Sequence, residues 1–244
     1  MPSAFDGIDR KLERVDENIR NLDNEISLFF QESKYPVLPD VNDKLIFEAI
    51  QYHRDRGVPL RFSVLVGEII HHLRSCLDHI VWEFSSEDYR REHFSRIEFP
   101  VCTNEPVDKN AITRYEGKIK GIADGAVRDL IRDLQPYKAP DPVESPILII
   151  HKMDVFDKHR ELILVAGNVT LSVPSELADR VAAYDNEDPG NMPIDLAMEL
   201  RAHKASLQIS FRNFGRRKIE PVVTGLAQLS NYIRRVAANF EALA

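Results

Sequence analysis

The chain opens and closes on apolar seams of the same period. Near the N-terminus Ile8, Leu12, Val15, Ile19, Leu22, Ile26 and Phe29 recur in alternating steps of four and three, and near the C-terminus Val222, Leu226, Leu229, Ile233, Val236, Phe240 and Leu243 do the same. This heptad spacing winds into a helix with one narrow apolar strip, and the positions between the N-terminal apolar residues are mostly Asp, Glu, Arg, Lys and Asn. A strip that narrow needs a partner of equal width. Two such strips predict either an antiparallel pair within the chain that closes the fold, or a homodimer formed through one of the heptad helices. Ser3 or Asp6 is the expected cap of the first helix.

Between the seams lies the stretch Gly67–Trp82, GEIIHHLRSCLDHIVW, with three of the eight histidines. At about 100° per residue, Ile69, Leu73, Cys76, Leu77 and Ile80 form an apolar stripe. Glu68, His71, His72, Ser75, Asp78 and His79 gather opposite it within an arc of roughly 120°, with Arg74 at the edge. A solvated face is normally rich in Lys and Glu; this one has short polar side chains and imidazoles instead, and reads as a site. Its helix is expected over about Phe62–Phe84, capped by Ser63, with the charged Ser85–Glu92 fraying beyond it.

The remaining elements follow from period and punctuation. Lys44–His53 reads as a short strand or a helical turn, and Arg96–Cys102 as a short extended segment limited by Pro100. Two helical patches between Tyr115 and Tyr137 are separated near Gly121 and Gly125. Residues 136–146 carry four prolines and form a loop, and Ile147–Glu161 resumes helical spacing. In Leu162–Val173 (LILVAGNVTLSV) a Gly-Asn pair between apolar runs reads as a hairpin. Ser206–Phe211 alternates as a strand, followed by a turn at Arg212–Lys218 and a helix after Pro221. The expected fold is α+β, mainly α: a helical bundle with long N- and C-terminal helices and a small antiparallel β-sheet inserted before the last helix. Residues 1–165 form the helical body, 166–220 the β-rich insertion, and 221–244 a helix packing back on the body, one domain overall.

A net charge of -7 argues against wholesale coating of nucleic acid. Two cysteines, both in or beside apolar runs, suit reduced thiols better than a disulfide framework. No stretch approaches 18 apolar residues, so a cytoplasmic protein that does not span a membrane is expected.

The polar arc admits three chemistries. Glu68-Ile-Ile-His71 is a Glu-x-x-His unit, the spacing by which helical bundles present a carboxylate and an imidazole to one metal, with Glu68, His71 and His72 as alternative ligands. No second such unit occurs, so no metal or cofactor is the primary expectation. Arg74-Ser-Cys-Leu-Asp-His79 fits Arg-x4-His, and in this it resembles the HEPN superfamily of small helical domains, many of them metal-independent ribonucleases. That resemblance implies a phosphate-binding arginine and a histidine that supports attack by the ribose 2′-hydroxyl. Here Ser75 follows the arginine where a strongly polar residue is usual, and Arg74 and His79 are about 140° apart on an ideal helix. The third reading is an ion network of His71, Arg74 and Asp78 that positions other segments, since buried charges must be paired.

A second cluster, Asp154, Asp157, Lys158, His159 and Arg160, falls at a helix end. The whole pattern resembles a widespread family of bacterial and phage proteins that share Gly-Asp-x-x-His-Asn-Leu-Arg-Ser-Ala-Leu-Asp-His-x-x-Trp, then Phe-Pro, Gln-Pro-Tyr and Asp-Lys-His-Arg. The matching residues are Gly67, His71, Leu73, Arg74, Ser75, Leu77, Asp78, His79 and Trp82, then Phe99-Pro100, Gln135-Pro136-Tyr137 and Asp157-Lys158-His159-Arg160, over about residues 60–165. Glu68, His72 and Cys76 depart from it. That family brings no established activity.

Together these features lead to the expectation of a HEPN-like, metal-independent ribonuclease or RNA-binding protein of defence or toxin type. Arg74 would bind phosphate, His79 move the proton, Asp78 and His71 orient them, and Asp157, His159 and Arg160 close the pocket. Arg212, Arg216, Arg217 and Lys218 around Phe214 would bind the RNA substrate. The alternative is a non-catalytic helical interaction or structural protein whose His/Arg/Asp cluster is a buried ion network.

Overall fold

The computed structural model describes residues 4–34, 48, 52–53, 55–159, 164–171, 205–211 and 221–244. Helices α1 (Ala4–Gln31) and α2 (Leu60–Phe84) are followed by the short α3 (Glu87–His93), α4 (Lys109–Ile119), α5 (Gly125–Asp133) and α6 (Pro146–His159). Strands β1 (Leu164–Leu171) and β2 (Ala205–Phe211) precede the last helix, α7 (Val222–Glu241). The fold is mainly α with a small β element before the final helix, as the periodicity predicts. No helix among the described residues is long and apolar enough to cross a membrane.

The chain divides into two compact units, residues 1–23, 60–163 and 212–244, and residues 24–59 and 164–211. In the first unit the heptad seams are buried as far as Leu22 on α1 and Phe240 on α7, while Leu243 stays exposed. Ile8, Leu12, Val15 and Leu22 on α1 and Leu226, Ile233 and Phe240 on α7 are fully buried. Asp16 accepts from Ser230 Oγ at 3.1 Å and from Arg234 at 2.8 Å, tying the middles of the two helices together. Phe5 packs edge-on against Phe84, and Phe84 against Phe240, each with ring centroids 6.1 Å apart, so the start of α1 meets the ends of α2 and α7. Asn18, farther along α1, donates to Glu68 near the start of α2. Helix α1 thus runs antiparallel to both. The two strips thus meet within the chain, as the intrachain reading of the heptads expects.

Helix α2 is buried on most of its circumference, at Phe62, Val66, Ile69, Ile70, Leu73, Cys76, Leu77, Ile80 and Val81, and it packs on α6 and α7. It starts at Leu60, so Ser63 lies inside the helix and not at its N-cap position. Residues 87–93 do not fray as their charge suggests. Ser86 accepts from Tyr89 N–H as the cap of α3, with Glu87 and Asp88 in its first turn and Arg90, Arg91 and His93 in its last, the order that complements the helix dipole. Asp108 and Asp124 cap α4 and α5 in the same way. The proline-rich stretch carries two 3-10 turns, Pro136–Lys138 and Pro142–Glu144.

In the second unit β1 pairs antiparallel with β2, from Leu164 opposite Phe211 to Leu171 opposite Ala205, and the register slips between Ala166 and Asn168. The Gly167-Asn168 pair is therefore a bulge inside one strand and not the expected hairpin turn; glycine suits both, and only the distant partner strand decides. This unit also takes in residues 24–59, which the sequence assigns to the helical body. In it His53 sits against Phe29 and Phe30, and Arg56 lies 4.1 Å above the Phe29 ring while donating to the Phe29 carbonyl at 2.9 Å.

Candidate functional site

The polar arc of α2 serves two neighbours. Glu68, His72 and His79 turn toward α1. Glu68 accepts from Asn18 Nδ2 at 3.3 Å, and His79 Nδ1 lies 4.0 Å from where a β-carbon on Gly7 would stand. Burial first, and then Lys11, disfavour the charged imidazolium at both His72 and His79 and push their pKa values down. Cys76 lies under the same helix, its thiol pushed up to about 12 by burial.

Arg74, Asp78 and His71 turn the other way, toward residues 97–102 and α6. Arg74 is 5% exposed. Its Nη2 donates to the Phe99 carbonyl and to Asp78 Oδ1, both at 2.9 Å, while Nη1 is buried with no hydrogen-bond partner. Asp78 Oδ1 also accepts the Phe99 N–H at 2.8 Å. Burial outweighs both contacts and raises the Asp78 carboxyl above its usual value. Glu98 lies 3.8 Å from Arg74 and 2.8 Å from Lys118. Burial pushes Glu98 up, but the hydrogen bond and charge of Lys118, with Arg74 and His151, outweigh it and hold this carboxyl below its ordinary value. His151 on α6 is pushed down by burial and then by Arg74 and Lys118, and its Nδ1 is buried without a partner.

Helices α2 and α6 meet through the two clusters that the sequence sets apart. His71 Nδ1 lies 3.2 Å from Asp154 Oδ1. One turn earlier, a β-carbon on Gly67 would stand 2.6 Å from an Asp157 carboxylate oxygen, so only glycine admits Asp157 so near the helix axis. The elements touch directly at these points.

Among the described residues the extended segment after Ile97 pairs with no strand, and side chains bond much of its backbone. Arg74 and Asp78 take both polar atoms of Phe99. Buried Gln135 donates to the Pro100 carbonyl at 2.9 Å and accepts from Cys102 N–H at 3.0 Å, and Tyr137 N–H reaches the Cys102 carbonyl at 3.3 Å. The Arg-x3-Asp, Phe-Pro and Gln-Pro-Tyr motifs thus describe one construction.

Of the expected catalytic residues, the structure gathers Arg74, Asp78 and His71, and brings Asp157 to the same helix pair. It turns His79 away: on a regular α2, its position facing Gly7 leaves it on the opposite flank from Arg74, so the expected Arg74–His79 partnership does not form within the chain. His159 ends α6, and Arg160, Arg212, Arg216, Arg217 and Lys218 lie outside the described residues. Among the described residues no group of three His, Cys, Asp or Glu side chains could hold a metal. Glu68 and His72 face α1 while His71 faces α6, which separates the alternative ligands. Gln135 enters the cluster through the Gln-Pro-Tyr motif. Glu98, Lys118 and His151 also belong to it, and of these only His151 carries a sequence signal, standing three residues before Asp154 on the same helical face. Comparison with protein-family models, with curated proteins and with solved structures finds no match to this chain.

Proposed function

We propose that the chain acts as a non-catalytic interaction protein, in which the polar cluster holds a binding segment in shape. The observation that carries this reading is the double grip on Phe99. A guanidinium that is 5% exposed and bonded to a carboxylate and a carbonyl is committed to its own fold and poorly placed to receive a phosphodiester. The charge balance supports it too. The three carboxylates Asp78, Glu98 and Asp154 face two permanent cations, Arg74 and Lys118, so the surroundings do not attract a polyanion.

One observation favours the ribonuclease reading. The unpartnered buried atoms Arg74 Nη1 and His151 Nδ1 belong to a guanidinium and a neutral imidazole of one cluster, which is acid–base equipment. On that reading the imidazole is His151 or His71 in place of His79. Incubation of the full chain with single-stranded and hairpin RNA, without added metal, separates the two readings. Intact RNA is expected. Cleavage that disappears in His151→Gln while the thermal melt is unchanged would overturn the interaction reading.

A further inference from the structure

We infer that the groove between α1 and α2 lined by Lys11, His72, Ser75 and His79 is a binding site for a small phosphate-bearing anion, with the Lys11 ammonium at its centre and an imidazole at either end. The inference goes beyond the interaction reading above and does not depend on it. It starts from the register of the two helices. Asn18 donates to Glu68 at 3.3 Å, and His79 Nδ1 lies 4.0 Å from a β-carbon placed on Gly7. Both pairs belong to one antiparallel register. At helical spacing the strip of α1 that holds Gly7 and Asn18 also carries Lys11 and Arg14, and the strip of α2 that holds Glu68 and His79 also carries His72 and Ser75. The register therefore sets Arg14 against His72, and Lys11 against Ser75, midway between the two imidazoles.

The groove is open and its cations lack a counter-charge. Gly7, Lys11, His72, Ser75 and His79 are all partly exposed, and only His79 comes within 4 Å of the space that a side chain on Gly7 would enter. Among the described residues neither Lys11 nor either imidazole makes a hydrogen bond or an ion pair with a defined partner. Of their polar atoms only His72 Nδ1 is shut away from solvent, so a ligand meets His72 at Nε2. The carboxylates beside the strip are already engaged, Glu68 by Asn18 and Glu17 by Arg14 at 3.1 Å on the exposed rim. The Lys11 charge reaches His72, Cys76 and His79 alike, in keeping with its central place. The imidazoles stand two turns apart, about 10 Å along the helix. The two oxygens of a carboxylate serve one end of such a groove; a phosphate offers oxygens on several sides, and a diphosphate extends from one imidazole toward the other.

The test titrates the full chain with phosphate, phenyl phosphate and pyrophosphate by calorimetry and NMR, with acetate and a short single-stranded RNA as contrasts. Saturable binding is expected, tightest for pyrophosphate and absent for acetate. Phenyl phosphate binding as tightly as phosphate would identify an ester as the natural ligand, and weaker binding a free anion; either keeps the site. Lys11→Gln should weaken pyrophosphate roughly tenfold, and His72→Ala and His79→Ala roughly threefold each. Arg132→Gln, paired with Asp129 on exposed α5, should change nothing. Bound pyrophosphate should also raise the titration midpoints of the two imidazole signals that His72→Ala and His79→Ala remove, because an anion favours the imidazolium; a merely structural pair of histidines would not respond. Absence of saturable binding by all three phosphates, equal affinity for acetate, tighter binding of the RNA, unchanged affinity in Lys11→Gln, or static imidazole midpoints would overturn the assignment. The interaction reading is tested separately, by RNA cleavage.

Discussion

Arg74 and Asp78, one turn apart on α2, close on both backbone polar atoms of Phe99 and on each other, with all three contacts between 2.8 and 2.9 Å. The pair is not symmetrical. Arg74's side chain is 6% exposed and Asp78's 33%, so the loss of either leaves a different residue stranded.

Removing Asp78 leaves a buried guanidinium with only Glu98, 3.8 Å away and shared with Lys118, as counter-charge, and Asp78→Ala should cost about 3 kcal/mol. Arg74→Ala leaves a carboxylate that can still reach water, and should cost less, about 1–3 kcal/mol. Urea titrations of the two variants check the order. The joint replacement Arg74→Met with Asp78→Leu should be milder than the sum of the single losses, since no charge remains unpaired. Equal, negligible costs would show that the network does not hold the fold.

Gln135 ties the same segment from the other side. Gln135→Ala unties the Pro100 carbonyl and the Cys102 N–H, and should lower stability by about 1–3 kcal/mol. Its signature is local. Cys102 should react faster with a maleimide, while Cys76, with its thiol pushed up to about 12 by burial, stays silent. An unchanged Cys102 rate would mean that Gln135 does not fix the Pro100–Cys102 segment.

What the sequence discloses depends on how far each pattern reaches. The heptad seams are legible because a strip repeated over about three heptads permits one helix face and one kind of partner. Helix α2 is legible as buried, but its polar arc is not resolvable into sides: α1, α6 and the Phe99 segment surround it, and nothing local says that His79 turns to one neighbour and Arg74 to another. Gly167 misleads because a glycine inside a strand marks a bulge or a turn alike. Ser85–Glu92 misleads because a high charge density alone favours solvent, whereas the order of the charges, acidic before basic behind a serine, favours a capped helix. Glu98 and Lys118 join the cluster only through the long-range approach of α4 to residues 97–102, which leaves no periodic trace.

The seam makes a separate prediction. Leu12 on α1 and Leu226 on α7 are fully buried, so Leu12→Ala and Leu226→Ala should each cost about 2–5 kcal/mol. Because one chain covers both strips, the wild-type melting temperature should not depend on protein concentration. A melting temperature that climbs with concentration would place the strips between chains.

The last expectation concerns pH. His72, His79 and His151 all have pKa values lowered in the folded chain, first by burial and then by nearby cations. An imidazole with a depressed native pKa binds fewer protons folded than unfolded, so its contribution is complete above the unfolded value of about 6.5 and is lost as pH falls below it. Glu98, also lowered, acts in the same sense in its own, more acidic range. Asp78, raised by burial, acts in the opposite sense: its contribution is complete below its unfolded value and lost as pH rises through the native one. Stability should therefore fall between pH 7.5 and 5.5, and His151→Gln should flatten that slope without moving the value at pH 7.5 by much. Urea midpoints at half-unit steps read the slope directly. A curve that is level or rises toward pH 5.5 would mean that these imidazoles are as well solvated in the fold as out of it.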